Sequence, residues 1–274
     1  MEFLAAADSK ITAFEKFVAF LDAQGNIPGA YGIFHIISLL IIFAVCALVF
    51  VYRKRLTEKF IACFTLVCGI IMIVFEIYKQ LVFSYHSDID LWKYSVYSFP
   101  FQFCSTPMYI AVIAFVLYKL KKERLYKAML SFLATYSLIA GFVVLFVGTG
   151  TVFCSTLGVN IQTMVHHGIM FVLATAILVS GAIEFNKRAL LDAFFVFAPL
   201  LVIAMILNFS IDGLDMFYIA PDSKFVFKSI SDIFFGGKLP YPVYLVGYII
   251  LFTLGSALIL FIGNKITKKT ADSK

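Results

Sequence analysis

Charged residues are scarce in this chain. Only 14% of its 274 residues are Asp, Glu, Lys or Arg, whereas a soluble domain has about 25%. Hydrophobic residues make up 62% of the chain, phenylalanine occurs 32 times, and the mean hydropathy is +0.98. This composition excludes an ordinary soluble domain and indicates an integral membrane protein.

Several patterns that mark other protein classes are also missing. The five cysteines form no C-x-x-C pair and no Cys/His tetrad, so neither a disulfide scaffold nor a closed zinc site is predicted. No phosphate loop, dinucleotide fingerprint or G-x-S-x-G elbow occurs in a suitable context. No cofactor is expected. A metal site built from His35, Glu76, His166 and His167 is a weak alternative, because its ligands would come from three helices without H-E-x-x-H spacing.

Long apolar runs dominate what is present. About 20 apolar residues suffice to cross about 30 Å of hydrocarbon as a helix. The sequence contains seven such runs, at 31–51, 60–82, 97–118, 128–147, 163–183, 189–209 and 243–262. The prediction is an all-α polytopic membrane protein with seven transmembrane helices, forming a single membrane domain over 1–274.

Two segments outside these runs have their own patterns. In 1–30, apolar residues recur at helical spacing after Ser9, a predicted N-cap, which predicts an amphipathic helix in the outer interface. Glu2 and Asp8 stand where a signal peptide would be basic, so we expect this segment to be retained. The loop 210–242 mixes turn-forming residues with phenylalanines. It is predicted to cap the outer surface, with an ordinary packed loop as the alternative.

Basic residues fall on one side of the predicted bundle. Fifteen of the 22 Lys and Arg residues follow the first, third, fifth and last spans, and short cytoplasmic loops retain such residues. We therefore expect the plasma membrane, with the N-terminus outside and the C-terminus in the cytoplasm. The net charge of +6 then needs no nucleic-acid partner. Membrane lipids are the expected partners, and the sequence leaves open a partner membrane protein.

Polar side chains within the spans collect in the outer half of the membrane. Such residues are costly in hydrocarbon and usually face a bundle interior or a water-filled cavity. They are His35, Glu76, Lys79, Gln102, Cys104, His166, His167 and Asn208. A single polar site open to the outer leaflet is the simplest explanation, although Glu76 and Lys79 lie one helical turn apart and are expected to neutralise each other.

The segment 98–110, SFPFQFCSTPMYI, places Cys104 between Pro100 and Pro107. Prolines free backbone carbonyls inside a membrane, which is tolerated where a cavity is lined. The core FCST recurs at 153–156. A disulfide between Cys104 and Cys154 is the alternative to chemistry at the first copy, because both cysteines are predicted near the oxidising outer side.

A cysteine with a histidine at the same depth predicts acyl chemistry. The thiolate would attack an acyl group to form a thioester, with histidine as its base. Gln102, Ser105 or a free backbone N–H group would stabilise the oxyanion. Since His166 and His167 point about 100° apart on a helix, we expect one of them to face Cys104.

Four motifs resemble signatures of the YwaF-like family of bacterial integral membrane proteins. They are YGIFHIISLLI, FPFQFCSTPMYI, HHGIMFV and LPYPVYLVGYI, in that order. Eukaryotic relatives of this family are described as intramembrane phospholipid acyltransferases with a Cys/His site. The resemblance implies Cys104 as the nucleophile, His167 as the base and His35 in a supporting role. Gln102 stands where the family usually has His, so a mechanism that needs that His would not run here.

Three functions are compatible with these features. The first is an intramembrane acyltransferase or acyl hydrolase that acts on outer-leaflet lipid. The second is a non-enzymatic transporter or lipid-binding module with a polar pocket open to the outer side. The third is an accessory subunit of a larger complex. A channel is disfavoured, because no polar stripe runs through the full depth of the membrane.

Overall fold

Helices account for most of the structure, a computed structural model that describes residues 11–86, 89, 91–147, 152–223 and 239–272. The described α-helices are α1 (Ala13–Leu21), α2 (Ile33–Val51), α3 (Glu58–Ser84), α4 (Thr106–Lys119), α5 (Glu123–Ala134), α6 (Tyr136–Phe142), α7 (Leu157–Ser180), α8 (Lys187–Ser210) and α9 (Tyr241–Asp272). Short 3-10 turns occur at Arg53–Arg55, Val96–Ser98 and Met216–Tyr218, and Val143–Val147 forms a π turn. Two short strands, β1 (Tyr85–His86) and β2 (Leu91–Trp92), pair antiparallel.

Six helical segments in the described residues are long and apolar enough to cross a membrane. They are Ile33–Val51, Glu58–Ser84, Glu123–Val147, Leu157–Ser180, Lys187–Ser210 and Tyr241–Lys265. An all-α membrane fold is therefore supported, but the predicted count of seven spans is not reproduced.

The difference lies in the predicted span 97–118. Its helix, α4, begins only at Thr106 and has 14 residues, which at 1.5 Å per residue is about 21 Å, short of the ~30 Å hydrocarbon core. The preceding residues 99–105 form turns. Pro107 occupies the first turn of α4, where a missing N–H group costs nothing. The second half of the motif thus starts a helix, and the first half remains outside it.

The N-terminal helix α1 begins after Thr12. The Thr12 hydroxyl accepts a hydrogen bond from the Glu15 amide, and the Glu15 carboxylate accepts one from the Thr12 amide at 2.7 Å, completing a capping box. The backbone and side-chain hydrogen bonds from Thr12 lower the pKa of Glu15. Ser9, the predicted cap, lies outside the described residues.

The segment at residues 22–25, which we call the strap, links the N-terminal segment to the second FCST copy. Gln24 forms an isolated antiparallel bridge with Thr156. The amide of Gly25 donates to Ser155 O at 2.8 Å, and the amide of Leu157 donates to Ala23 O at 2.9 Å. These bonds hold the chain that follows α1 against the start of α7.

Helix α7 lies at the centre of the bundle and packs against α2, α3, α5 and α6. In the most apolar stretch of α7, 56% of the residues are buried, against 17% in the corresponding stretch of α2. At Gly168 a side chain would meet Ile42 Cγ1 at 2.8 Å, so only glycine allows α2 to approach α7 this closely.

Candidate functional site

A cavity of about 200 Å3 lies between α3, the turn before α4, and α7. Its polar lining comes from Glu76, Lys79, Ser98, Gln102, Cys104, Ser105, Cys154, Gln162, Thr163, His166, His167 and Tyr218. Seven of the nine residues predicted for the site are therefore brought to one cavity, and His35 and Asn208 do not line it.

His167 presents a basic nitrogen at this cavity. Its Nδ1 lies 2.7 Å from the carbonyl oxygen of Thr163, one turn earlier in α7. A carbonyl can only accept, so Nδ1 carries the proton and Nε2 holds the lone pair. Nε2 is buried and has no hydrogen-bond partner in the described part of the chain. This is the tautomer that a general base requires.

His166 has a different bonding pattern. Its Nε2 lies 2.9 Å from the carbonyl oxygen of Cys104 and by the same reasoning donates to it. The rings of His166 and His167 are 5.4 Å apart. His166 therefore fixes the backbone of Cys104 through Nε2. Its Nδ1, like Nε2 of His167, is buried with no hydrogen-bond partner among the described residues.

Cys104 is a free cysteine in the turn that precedes α4, partly shielded from solvent. The amides of Ser105 and Thr106 both donate to Gln102 O, which closes the turn around the cysteine. Within the described residues, the amide of Cys104 donates no hydrogen bond to another residue. An N–H group beside the sulfur is thus available to an oxyanion.

The predicted ion pair on α3 is present. Lys79 Nζ lies 2.8 Å from Glu76 Oε1, and Gln80 Nε2 donates to the same oxygen at 2.7 Å. Gln80 also donates to Ser98 O, which ties α3 to the turn before α4. The other oxygen, Glu76 Oε2, is buried without a partner among the described residues.

Gln102 holds the loop that follows α8. Its Nε2 donates to Asp215 O at 2.8 Å, and its Oε1 accepts from the Phe217 amide at 3.0 Å. One N–H of the Gln102 amide remains for the cavity, since the group has two. Asn208, although outside the cavity lining, acts in the same way: it donates to Met216 O and accepts from the Met216 amide.

The loop held in this way contains Asp215, whose carboxylate accepts hydrogen bonds from the Ala220 amide and the Ser223 hydroxyl. Burial raises the pKa of Asp215, and these two hydrogen bonds oppose the rise. Phe217 and Tyr218 have positive φ angles of 59° and 55°, which non-glycine residues adopt only where surrounding contacts impose them. Residues 224–238 of the predicted loop lie outside the described part.

His35 binds the backbone of the π turn and does not line the cavity. Its Nδ1 accepts from the Tyr31 amide at 2.9 Å, and its Nε2 lies 3.0 Å from Leu145 O. The Tyr31 hydroxyl donates to Phe146 O. A π turn leaves carbonyl groups to be satisfied, and these two side chains satisfy them. Phe153, which does line the cavity, packs edge-on against the His35 ring.

Sequence reasoning missed five polar lining residues: Ser98, Cys154, Gln162, Thr163 and Tyr218. Gln162 and Thr163 precede the two histidines by four positions, so helical spacing alone places them on the same face. Cys154, treated as a competing partner for Cys104, lines the same cavity as a free thiol. Across the described residues, no group of three or more His, Cys, Asp or Glu side chains is placed to hold a metal ion.

Comparison with models of protein families matches residues 30–260 to the TMEM164 family. No curated protein and no solved structure gives a significant match.

Proposed function

The chain belongs to the TMEM164 family of membrane proteins, and we propose that it is an intramembrane lipid acyltransferase or acyl hydrolase with Cys104 as nucleophile and His167 as base. The observation that carries the proposal is the unpartnered Nε2 of His167 in a cavity that Cys104 also lines. His35 engages both of its nitrogens, whereas His166 and His167 each leave one nitrogen without a partner among the described residues. We assign the base to His167 because the motif resemblance points to it and because His166 is already bound to Cys104 O.

The proposed reaction has two half-steps. Nε2 of His167 takes the thiol proton of Cys104, and the sulfur attacks the carbonyl carbon of a phospholipid ester. The Cys104 amide and the remaining N–H of Gln102 stabilise the oxyanion. The C–O bond breaks, the lysolipid alcohol leaves with the proton from His167, and a thioester remains. A second lysolipid hydroxyl, or water, then attacks the thioester and regenerates the thiol.

The orientation and location form part of the same proposal. The basic loops lie in the cytoplasm and the cavity opens toward the outer leaflet of the plasma membrane. Helix α1 exposes Phe14, Phe17 and Phe20 to the extent of 53%, 53% and 77% while Val18 is buried, which favours an interfacial helix. The relationship to YwaF-like proteins is also proposed, on motifs that contain Cys104 and His167.

The test uses purified protein in detergent with a phospholipid that carries an alkyne-tagged acyl chain. We expect a covalent adduct on Cys104 that hydroxylamine removes, as a thioester requires. Cys104→Ser should lose the hydroxylamine-sensitive adduct, and His167→Gln should slow its formation by roughly 10²–10⁴-fold.

Cys154→Ser is the matched control, because it removes a second free thiol from the same cavity and should leave adduct formation unchanged. An adduct that persists in Cys104→Ser, or that is lost equally in Cys154→Ser, would contradict the proposal. Saturable lipid binding that is indifferent to Cys104, with no adduct, would favour the lipid-binding or transporter function.

A further inference from the structure

A long apolar groove separates α2 from α3. These helices follow one another in the chain, yet α2 packs mainly on α7. Two hollows of about 500 and 390 Å3 lie between them and share Val45 and Phe64 in their walls. The two hollows adjoin at these side chains, and we call the pair of hollows the α2–α3 groove.

One face of α2 forms a wall of the groove along the whole helix. The wall residues recur at helical spacing: Phe34, Ser38, Ile41, Val45, Leu48 and Tyr52. From the first to the last of these the helix rises about 27 Å at 1.5 Å per residue, close to the ~30 Å hydrocarbon thickness. Ser38 is satisfied within α2, where its hydroxyl donates to Phe34 O at 2.8 Å. The wall therefore runs through both leaflets, and the acyl chain of one phospholipid would follow the half that is nearest its headgroup.

The groove is distinct from the polar cavity. Its floor is the face of α7 that includes Met164, Gly168 and Val172, whereas His166 and His167 line the cavity. Close contact between Ile42 and Gly168 seals α2 onto α7 below the groove. A ligand in the groove would not occupy the space beside Cys104.

A cation lies at one end of the groove. Arg55 contributes to the wall beside Tyr52 and Leu56, and its guanidinium lies 5.6 Å from the centre of the Tyr52 ring. Where the chain is described, no carboxylate forms an ion pair with Arg55. Arg53 and Lys54 adjoin it in sequence, so this end of the groove is positively charged and suited to a phosphate.

We propose that the α2–α3 groove binds one phospholipid, with an acyl chain between α2 and α3 and an anionic headgroup on Arg55. Apolar side chains that line a gap of this size need packing partners, and lipid chains are the apolar molecules that surround a membrane protein. The positive end determines which lipid is favoured. This site is separate from the proposed acyl chemistry, since it lies on the other face of α7 and in the leaflet that Arg55 faces.

Native mass spectrometry of the full chain tests this proposal. Protein in detergent is supplied with dioleoylphosphatidylglycerol or dioleoylphosphatidylcholine. We expect one tightly held lipid per chain and a preference for the glycerol lipid. Val45→Trp, at the point where the hollows join, should lower occupancy at least tenfold. Leu40→Trp, on the exposed side of α2 (62% exposed), should leave it unchanged.

Arg55→Gln tests the headgroup contact. It should reduce the preference for the anionic lipid by about fivefold, the effect of one basic residue near a phosphate, while Lys54→Gln should have a smaller effect. Unchanged occupancy in Val45→Trp would overturn the proposal, as would a groove-dependent dimer of this chain in place of bound lipid. Adduct formation on Cys104 is measured in the same samples and should persist in Val45→Trp, so failure of either proposal is recognised separately.

Discussion

At the scale of single residues, two adjacent histidines have different partners and should respond differently to substitution. His166 donates to Cys104 O, and a glutamine can still donate an N–H there, so His166→Gln should retain most adduct formation. His166→Leu removes the donor and should slow it severalfold. His167→Gln removes the lone pair of the base and should cost roughly 10²–10⁴-fold.

The rate of adduct formation on Cys104, measured in all three variants, checks this division of roles. Equal losses in His166→Gln and His167→Gln would contradict it, since only the base function depends on a titrating ring.

The ion pair between Glu76 and Lys79 leads to a second prediction at this scale. The side chains are only 5% and 17% exposed, and removing one partner of a buried pair leaves the other charge uncompensated. We expect Glu76→Gln to cost about 3 kcal/mol of unfolding free energy. The double variant Glu76→Gln/Lys79→Met should cost less than the sum of the single variants.

Thermal unfolding in detergent, analysed as a double-mutant cycle, measures the coupling. Arg188 and Asp192 form a longer pair at 4.0 Å, in which the arginine side chain is 70% exposed, and serve as the control. Such a pair contributes about 0–1 kcal/mol, so its removal should have little effect. Strictly additive losses at Glu76 and Lys79 would contradict the pairing.

At the scale of elements, the two FCST copies perform different tasks. Thr156 in the second copy donates to Asp22 Oδ1 at 2.8 Å and accepts from Gln24 Nε2. Thr156→Val keeps the shape and removes both bonds, so the strap at residues 22–25 should exchange its amide hydrogens at least tenfold faster. Thr106 occupies the same position in the first copy, and among the described residues its hydroxyl bonds to the local Phe103 O alone.

Hydrogen exchange with mass spectrometry measures this difference. Thr106→Val is the matched control and should leave the strap protected. If both variants released the strap, or neither did, the assigned role of the second copy would be wrong.

The loop held by Asp215 should depend on pH. Burial raises the pKa of Asp215, so the folded loop binds a proton more strongly than the unfolded chain does. Its stability is then greatest below the ordinary carboxyl pKa of 3.8 and decreases as pH rises through the raised pKa. Asp215→Asn should abolish this dependence, because the amide does not titrate. The loop should remain held, because the amide oxygen still accepts from the Ala220 amide.

Hydrogen exchange of residues 216–220, compared across pH after correction for intrinsic rates, tests the sign. Asp222→Asn removes a nearby carboxylate that also raises the pKa of Asp215, so it should narrow the pH dependence without abolishing it. Protection that increased with pH would contradict the prediction.

The elements also indicate what sequence can and cannot predict. Hydropathy locates the long helices, because about 20 apolar residues have few alternatives to spanning a bilayer. It places a span at 97–118, where the structure has turns before Thr106, because hydropathy does not register the missing N–H of Pro100. Helical spacing predicts the Glu76–Lys79 pair, since it depends only on local geometry.

The functions of His35, Gln102 and Asn208 could not be read in the same way. Each satisfies backbone groups of a non-α segment, at the π turn or at the 3-10 turn Met216–Tyr218. Those turns depend on tertiary packing, and no periodic pattern in the sequence predicts them. The similar depth of these polar residues in the membrane predicts one site. The structure instead places some of them around a cavity and uses others to bind backbone groups of two turns.

At the scale of the whole molecule, α7 divides two environments. Its polar face meets the cavity of Cys104, and its apolar face is the floor of the α2–α3 groove. The cavity is toward the end of the bundle that carries the strap and the loop after α8, and Arg55 marks the opposite end of α2. The two proposed lipid contacts would therefore lie in opposite leaflets.

This arrangement makes the topology of the chain a testable prediction. Asp222 and Lys54 are both exposed and lie beyond opposite ends of the bundle. In intact cells, a membrane-impermeant thiol reagent should label Asp222→Cys, because the outer loop faces the exterior. Lys54→Cys should be labelled only after permeabilisation, because basic loops remain in the cytoplasm. The unsubstituted chain, with its five native cysteines, gives the background. The reverse pattern would place Cys104 toward the inner leaflet and Arg55 of the groove toward the outer side. Each proposed lipid would then lie in the other leaflet, with the same residues in contact with it.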